Sequence, residues 1–444
     1  MKLAILGGGG FRVPQVYRAV LGDTGTPRVT DVVLYDPSAE RLAVMESVLA
    51  QQAAGVPDAP RVTSTADLPT ALEGAQFVFS AIRVGGLAGR TQDERIALSL
   101  GLLGQETTGP GGIAYGLRTI PAAMQIAEAV KACCPDAYVI NFTNPAGMIT
   151  EAMQRVLGDR VIGICDTPGG LLRRIGVALG VDAARLRPDY VGLNHLGWMR
   201  RVLVHGDDVL PGLLADESRL AGVEEAEIFG VPWLQQLGCI PNEYLYYYYF
   251  TRDAIRSITS GETTRGEFLQ RQQPSFYRAA AAEPGQALAV WQRTVDERSA
   301  LYMAEAKGGP AEVEPAQTDG YEQVALAVMA AIARDEPAQI ILNVRNGSAV
   351  AGLDADAVVE VPTVVDRDGV HPLPASTPDL HQLGLMQQVK AVERLTIEAA
   401  STGSADTALK AFALHPLVDS VTVARDLLAG YLDAIPEVAA ALSR

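Results

Sequence analysis

An α/β fold, a doubly wound parallel sheet followed by a mixed α+β region, is the class the sequence predicts. Three observations carry it. Short apolar runs rich in β-branched residues alternate with longer segments of helical period through the first 165 residues. The runs "KLAILG", "DVVLYD", "QFVFSAI", "YVINF" and "RVIGIC" are apolar on both faces, as strands covered by helices on two sides must be. The first of them opens directly into Gly7, Gly8, Gly9 and Gly10, the composition of a strand-to-helix turn that lets a ligand approach the backbone.

The elements follow in order. "KLAILG" leads through the glycines, Phe11 and Arg12 into a helix with Pro14 in its first turn, where a missing N–H costs nothing. "DVVLYD" ends on Asp36, and "SAERLAVMESVLAQQ" is the covering helix after it. "QFVFSAI" runs up to Arg83, "GLRTIPAAMQIAEAVKACC" is helical, and "YVINF" passes through "NFTNPAG" into the helix "AGMITEAMQRVLG". "RVIGIC" closes the unit, so residues 1–165 are predicted as one domain and 166–444 as a second, α+β domain. The second domain contributes strands such as "RRVLVHG", "QIILNVRN" and "VVEVPTVV" and helices such as "LMQQVKAVERLTIEAAST".

Composition excludes several function classes. The formal charge of -16 argues against nucleic acid and anionic membrane, and any anionic substrate must be met by a local cluster of arginines. No window approaches 18 uninterrupted apolar residues, and the apolar run at the N-terminus is too short for a signal peptide. Four cysteines in 444 residues make no disulfide framework. A cytoplasmic protein is expected, without membrane or nucleic-acid partners.

The glycine turn suits a pyrophosphate at a helix N-terminus, although the third glycine of G-x-G-x-x-G is replaced by Arg12 or Val13. Asp36 ends the second strand, where a carboxylate binds a ribose 2′-OH and repels a 2′-phosphate. NAD is therefore expected over NADP. Cys165 and His195 each end an apolar run, and thiol and imidazole are good metal ligands as well as ordinary core residues. A hydroxy-acid dehydrogenase is the simplest dinucleotide reading, and "NFTNPAG" suits one. Such enzymes share a Leu-Asp-x-x-Arg and a Gly-Glu-His-Gly stretch, whereas the matching places here read "ICDTPGG" and "GLNHLG". The exchange turns a His-Asp proton relay into a metal site.

With "LGGGG", "GGLAGRTQDE", "GQETTGPGG", "NFTNPAG", "GICDTP", "GLNHLG", "IPNEYLYYYY", "RNGSAV" and "ERLTIEA" in view, the chain resembles glycoside hydrolase family 4 from end to end. The likeness is greatest to the family's NAD- and metal-dependent 6-phospho-β-glucosidases. The resemblance implies a Rossmann-type domain followed by a C-terminal domain of the lactate dehydrogenase and family 4 type, and a homodimer or homotetramer. It implies hydrolysis of a phosphorylated sugar through oxidation at C3, elimination across C1 and C2, water addition and re-reduction. Cys165 and His195 would hold the metal. Softness alone would favour zinc for that pair, but the family implies manganese. Tyr244 would be the base at C2. Arg90, Glu106, Asn144 and Asp166 would bind the sugar, Arg265 its phosphate, and Arg83 either substrate or cofactor. One departure bears on the anomer: Asp166 follows the metal cysteine where the β-specific members carry Asn, and an aspartate there suits a general acid of the α-specific members. A 6-phospho-α-glucosidase, or a glycosidase for another C6-anionic sugar, is the alternative.

Overall fold

The computed structural model describes residues 1–299, 303–307 and 320–443. Among these residues thirteen strands form one sheet: β1 Lys2–Leu6, β2 Asp31–Tyr35, β3 Arg61–Thr65, β4 Phe77–Ser80, β5 Tyr138–Asn141, β6 Val161–Gly163, β7 Arg187–Leu193, β8 Leu196–Val204, β9 Asp207–Asp208, β10 Ile240–Pro241, β11 Ala338–Arg345, β12 Val358–Asp366 and β13 Gly369–Pro372. Their order is β10-β8-β7-β12-β11-β6-β5-β4-β1-β2-β3, with β13 beside β12 and β9 beside β8.

The six strands from β3 to β6 are parallel, in the doubly wound order 3-2-1-4-5-6. β4 is buried throughout and β1 nearly so, because helices cover both faces of the sheet there. β3, "RVTST", is mostly polar and partly exposed, since it is the sheet edge and needs no second apolar face. Its composition hid it from the sequence reading. The remaining strands are antiparallel, and the sheet does not break between the two sets: Gly163 of β6 pairs with Asn343 of β11. A Cβ on Gly163 would lie 2.7 Å from that of Asn343, so only glycine admits the strand there.

Helices begin where capping chemistry allows. Ser38 caps Ala39–Ala53, while Thr264 with Glu267 and Asp379 with Gln382 make capping boxes for Arg265–Ala282 and Leu380–Thr402. The helix predicted from residue 116 starts earlier, at Pro110. Gly111 and Gly112 take part because Cβ atoms there would lie 2.2 and 2.3 Å from the carbonyl oxygens of Gln105 and Thr107. Among the described residues no helix is long and apolar enough to cross a membrane.

Topology decides where function can sit. In a doubly wound sheet the crevice lies beyond the carboxyl ends of the strands, where strand order reverses. Here the reversal falls between β1 and β4. Gly7 to Arg12 leave β1, Asp36 leaves β2, Arg83 leaves β4, Asn144 leaves β5, and Cys165 and Asp166 leave β6, all at that same end.

Candidate active site

These loops border a cavity of about 2550 Å³. It is lined by Gly7, Gly10, Phe11, Arg12, Asp36, Arg83, Arg90, Glu106, Asn144, Cys165, Asp166, His195, Tyr244 and Arg265. Of the residues singled out from sequence, Gly8 and Gly9 alone are absent from the wall. Both pack inward instead: Cβ atoms added there would lie 2.6 Å from the Cβ atoms of Leu34 and Arg41. The four glycine amides are also spent within the turn. Gly7 and Gly8 donate to the Tyr35 carbonyl, Gly9 to Asp36 Oδ2 at 3.2 Å and Gly10 to the Gly7 carbonyl. Gly8 and Gly9 therefore shape the turn from its inner side.

The turn is also held from the other half of the chain. Tyr277 donates its hydroxyl to the Gly9 carbonyl at 2.5 Å, Trp291 its indole N–H to Phe11 O at 2.8 Å, and Tyr321 its hydroxyl to Arg12 O at 3.1 Å. Phe276 meets the Phe11 ring edge-on at 5.1 Å, and Tyr321 stacks on Phe142 at 4.0 Å. No local sequence pattern reports these contacts, because the partners lie far apart in the chain.

His195 sits at the tip of a hairpin, for β7 ends at Leu193 and β8 begins at Leu196. Its φ of 62° is left-handed, a conformation His adopts more readily than most residues. Its ring lies flat against Tyr244, with centroids 3.6 Å apart and planes 1° from parallel. Asn242 ties this pair to Cys165. It accepts from the Tyr244 amide at 3.0 Å and donates to Thr167 Oγ1 at 2.8 Å, which lies 3.3 Å from Cys165 Sγ. Burial pushes the His195 imidazole down to about 3, with only Glu106 opposing, and pushes the Cys165 thiol well above its usual range, helped by Glu360 and Asp166. A neutral imidazole with its lone pair available is the form that binds a cation.

Glu360 was not anticipated. Fully buried in β12, it accepts from Asn343 at 2.9 Å, Tyr190 at 3.0 Å and Asn194 at 3.3 Å, and burial raises its carboxyl to about 7. It braces the hairpin carrying His195 from behind.

The arginine cluster that net charge demanded is present. Arg83 and Arg90 both bind Glu106, at 2.6 and 2.7 Å, and Arg90 also binds Glu94 at 3.0 Å. Burial drives the Glu106 carboxyl upward, but the two guanidinium groups prevail and hold it at about 2. Arg12, Arg265 and Arg298 complete the cluster, and Arg298 lies 4.2 Å over the Phe11 ring. Burial, then the neighbouring arginines, lower Arg298 to about 9. Among the described residues no carboxylate lies within ion-pair distance of Arg298. Five arginines bordering one cavity suit a dianion. In sequence Arg298 looks like one charge on a solvated helix face, so nothing marked it.

The donor set also fits the groups the sequence implies. A thiol and a neutral imidazole suit a divalent cation, although among the described residues no cluster of three or more His, Cys, Asp and Glu side chains exists to hold one. Further ligands would have to come from substrate or water. Asn144 Oδ1 is buried without a hydrogen-bond partner, an acceptor left for a ligand hydroxyl.

Residues 2–181 match the model of family 4 glycosyl hydrolases, and residues 190–418 match that of the family 4 glycosyl hydrolase C-terminal domain. The chain is 33% identical to a probable 6-phospho-beta-glucosidase of Bacillus subtilis, over 98% of this chain and 96% of the relative. A 6-phospho-beta-glucosidase of Thermotoga maritima, solved with manganese, NAD+ and glucose-6-phosphate, superposes with a TM-score of 0.83 at 29% identity, covering 98% of this chain and 99% of that one. A 6-phospho-alpha-glucosidase from gut microorganisms, solved with NAD and Mn2+, gives 0.82 at 25% identity, covering 97% of each.

Proposed function

Because the chain belongs to family 4 of the glycosyl hydrolases, we propose that it hydrolyses 6-phospho-β-glucosides of the cellobiose or aryl type. The route is redox-neutral: oxidation at C3, elimination across C1 and C2, water addition and re-reduction. One arrangement carries this above all: Cys165, Asp166, His195 and Tyr244 share a single cavity with an arginine cluster fit for a phosphate. Relatives named for the same activity, one solved with glucose-6-phosphate, support it.

When bound, NAD+ supplies a hydride acceptor and donor for C3, and a divalent cation such as Mn2+ supplies Lewis-acid polarisation of the sugar oxygens. The chain's own residues do the rest. Cys165 and His195 hold the cation. Gly7, Gly10, Phe11 and Arg12 contact the dinucleotide, and Asp36 accepts from its ribose. Arg265 binds the C6 phosphate, Arg83 and Arg90 add positive charge, and Glu106 and Asn144 accept sugar hydroxyls. Tyr244 removes the proton at C2, and Asp166 exchanges a proton with the glycosidic oxygen. The protein works in the cytoplasm as a homodimer or homotetramer.

p-Nitrophenol should be released from its 6-phospho-β-glucoside only with NAD+, Mn2+ and a thiol reductant all present, and from the unphosphorylated glucoside scarcely at all. Stoichiometric NADH instead of catalytic product would mark a hydroxy-acid dehydrogenase. A second reading has its own observation, since Asp166 lines the cavity beside Cys165 and suits an α-linked leaving group. Preference for the α-anomer of the same substrate would decide for it.

Asp36→Ala is expected to weaken NAD+ binding by about tenfold or more, the worth of one hydrogen bond to a charged acceptor, and to relax rejection of NADP+. Part of the loss will come from the turn, since Asp36 also accepts from Gly9 and from Ser38 at 2.9 Å. Titration of both dinucleotides against the variant measures this. Unchanged affinities would remove the ribose role.

A further inference from the structure

Resting on the reading of His195 as a metal ligand, we propose that Gln105 and Thr107 are positioning residues that fix its tautomer, leaving the Nε2 lone pair free before a cation arrives. The proton count follows from the donors. Gln105 Oε1 lies 2.6 Å from the backbone N–H groups of both Thr107 and Thr108 and 3.1 Å from Thr107 Oγ1. Two N–H donors at one atom identify it as the amide oxygen, which cannot donate. Assigned to Gln105, which can only accept it, the single Thr107 hydroxyl proton leaves Oγ1 as an acceptor. Thr107 Oγ1 can then only accept from His195 Nδ1, 3.0 Å away, so Nδ1 carries the hydrogen. In a neutral ring, that leaves Nε2 bare.

Neither partner can easily swing away. Gly111 and Gly112 lie close against the backbone carbonyls of Gln105 and Thr107, and His195 is pinned by its left-handed hairpin position and the Tyr244 ring stacked parallel to it. A turned hydroxyl, donating to Nδ1, would break the Gln105 contact and place the hydrogen on Nε2, the wrong side for a ligand. Hydrogen bonds of this kind to the non-ligating nitrogen orient metal-bound histidines generally.

Five histidines make the test direct. Long-range proton–nitrogen spectra of the metal-free, histidine-labelled protein, assigned with His195→Gln, should show Nδ1 protonated and Nε2 bare. Thr107→Val, which keeps the shape and deletes the hydroxyl, should lose that single tautomer and bind Mn2+ about 10- to 100-fold more weakly by paramagnetic titration, with Thr107→Ser restoring both. A wild-type signal protonated at Nε2, or a Thr107→Val protein with unchanged tautomer and Mn2+ affinity, overturns the proposal. Wild-type Mn2+ binding in His195→Gln would instead remove the ligand reading itself, whatever the spectra show.

Discussion

Replacing Cys165 by serine should abolish turnover and leave the fold intact. A cation's polarisation of a carbonyl is worth several kcal/mol, so losing its hold at this position should cost at least about a thousandfold in kcat. Serine keeps the size and the hydrogen bond to Thr167, but its hydroxyl does not ionise as a thiol does. The sheet around it is buried on both faces and carries the stability, so the unfolding midpoint should barely move. Titration gives a second readout. Burial pushes the Cys165 thiol up, so the metal-free protein holds its proton at neutral pH and must release it on binding. Mn2+ affinity should therefore rise with pH, by up to about tenfold per unit, and lose most of that slope in Cys165→Ser. Near wild-type turnover after chelation and re-addition of metal would sink the assignment.

Tyr244→Phe should lower kcat by about 10² to 10⁴, the span of a general base. The ring stacked on His195 survives this change, so metal binding should persist and the loss should fall on proton transfer alone. Turnover in D₂O should place deuterium at C2 of the released sugar phosphate, a position ordinary two-carboxylate glycosidases never touch. Product without deuterium there would remove either the elimination or the base. The neighbouring tyrosines have other duties. Tyr249 receives the Trp198 indole N–H at 2.8 Å and lies 2.9 Å from His381 Nε2, so Tyr249→Phe should cost about 1–3 kcal/mol of stability with little change in kcat.

Legibility followed the range of the interactions. The glycine turn, Asp36 and the ends of β5 and β6 were readable because strand, turn and helix signals are local. His195 was seen at the end of an apolar run but not as a hairpin tip, although two residues between β-rich runs with an Asn hint at a hairpin. The polar edge strand β3 lacked the apolar pattern that marks its neighbours. Arg298, Glu360 and the three donors to the glycine turn could not be found, since each acquires its meaning from residues far away in sequence. Gln105 and Thr107 lay inside a quoted motif, yet only their geometry assigns protons.

The join of β6 to β11 also sets a schedule for the ribosome. β6 finds β5 almost as soon as it emerges, but its other edge waits for a strand about 180 residues later, on the order of 10–40 s at ordinary rates of synthesis. Until then the segment ending at Cys165 exposes an unpaired edge, and the chain must carry it without aggregating. A nascent chain halted before β11 should be a chaperone client, and the thiol should become protected from alkylation only once β11 and β12 have been released.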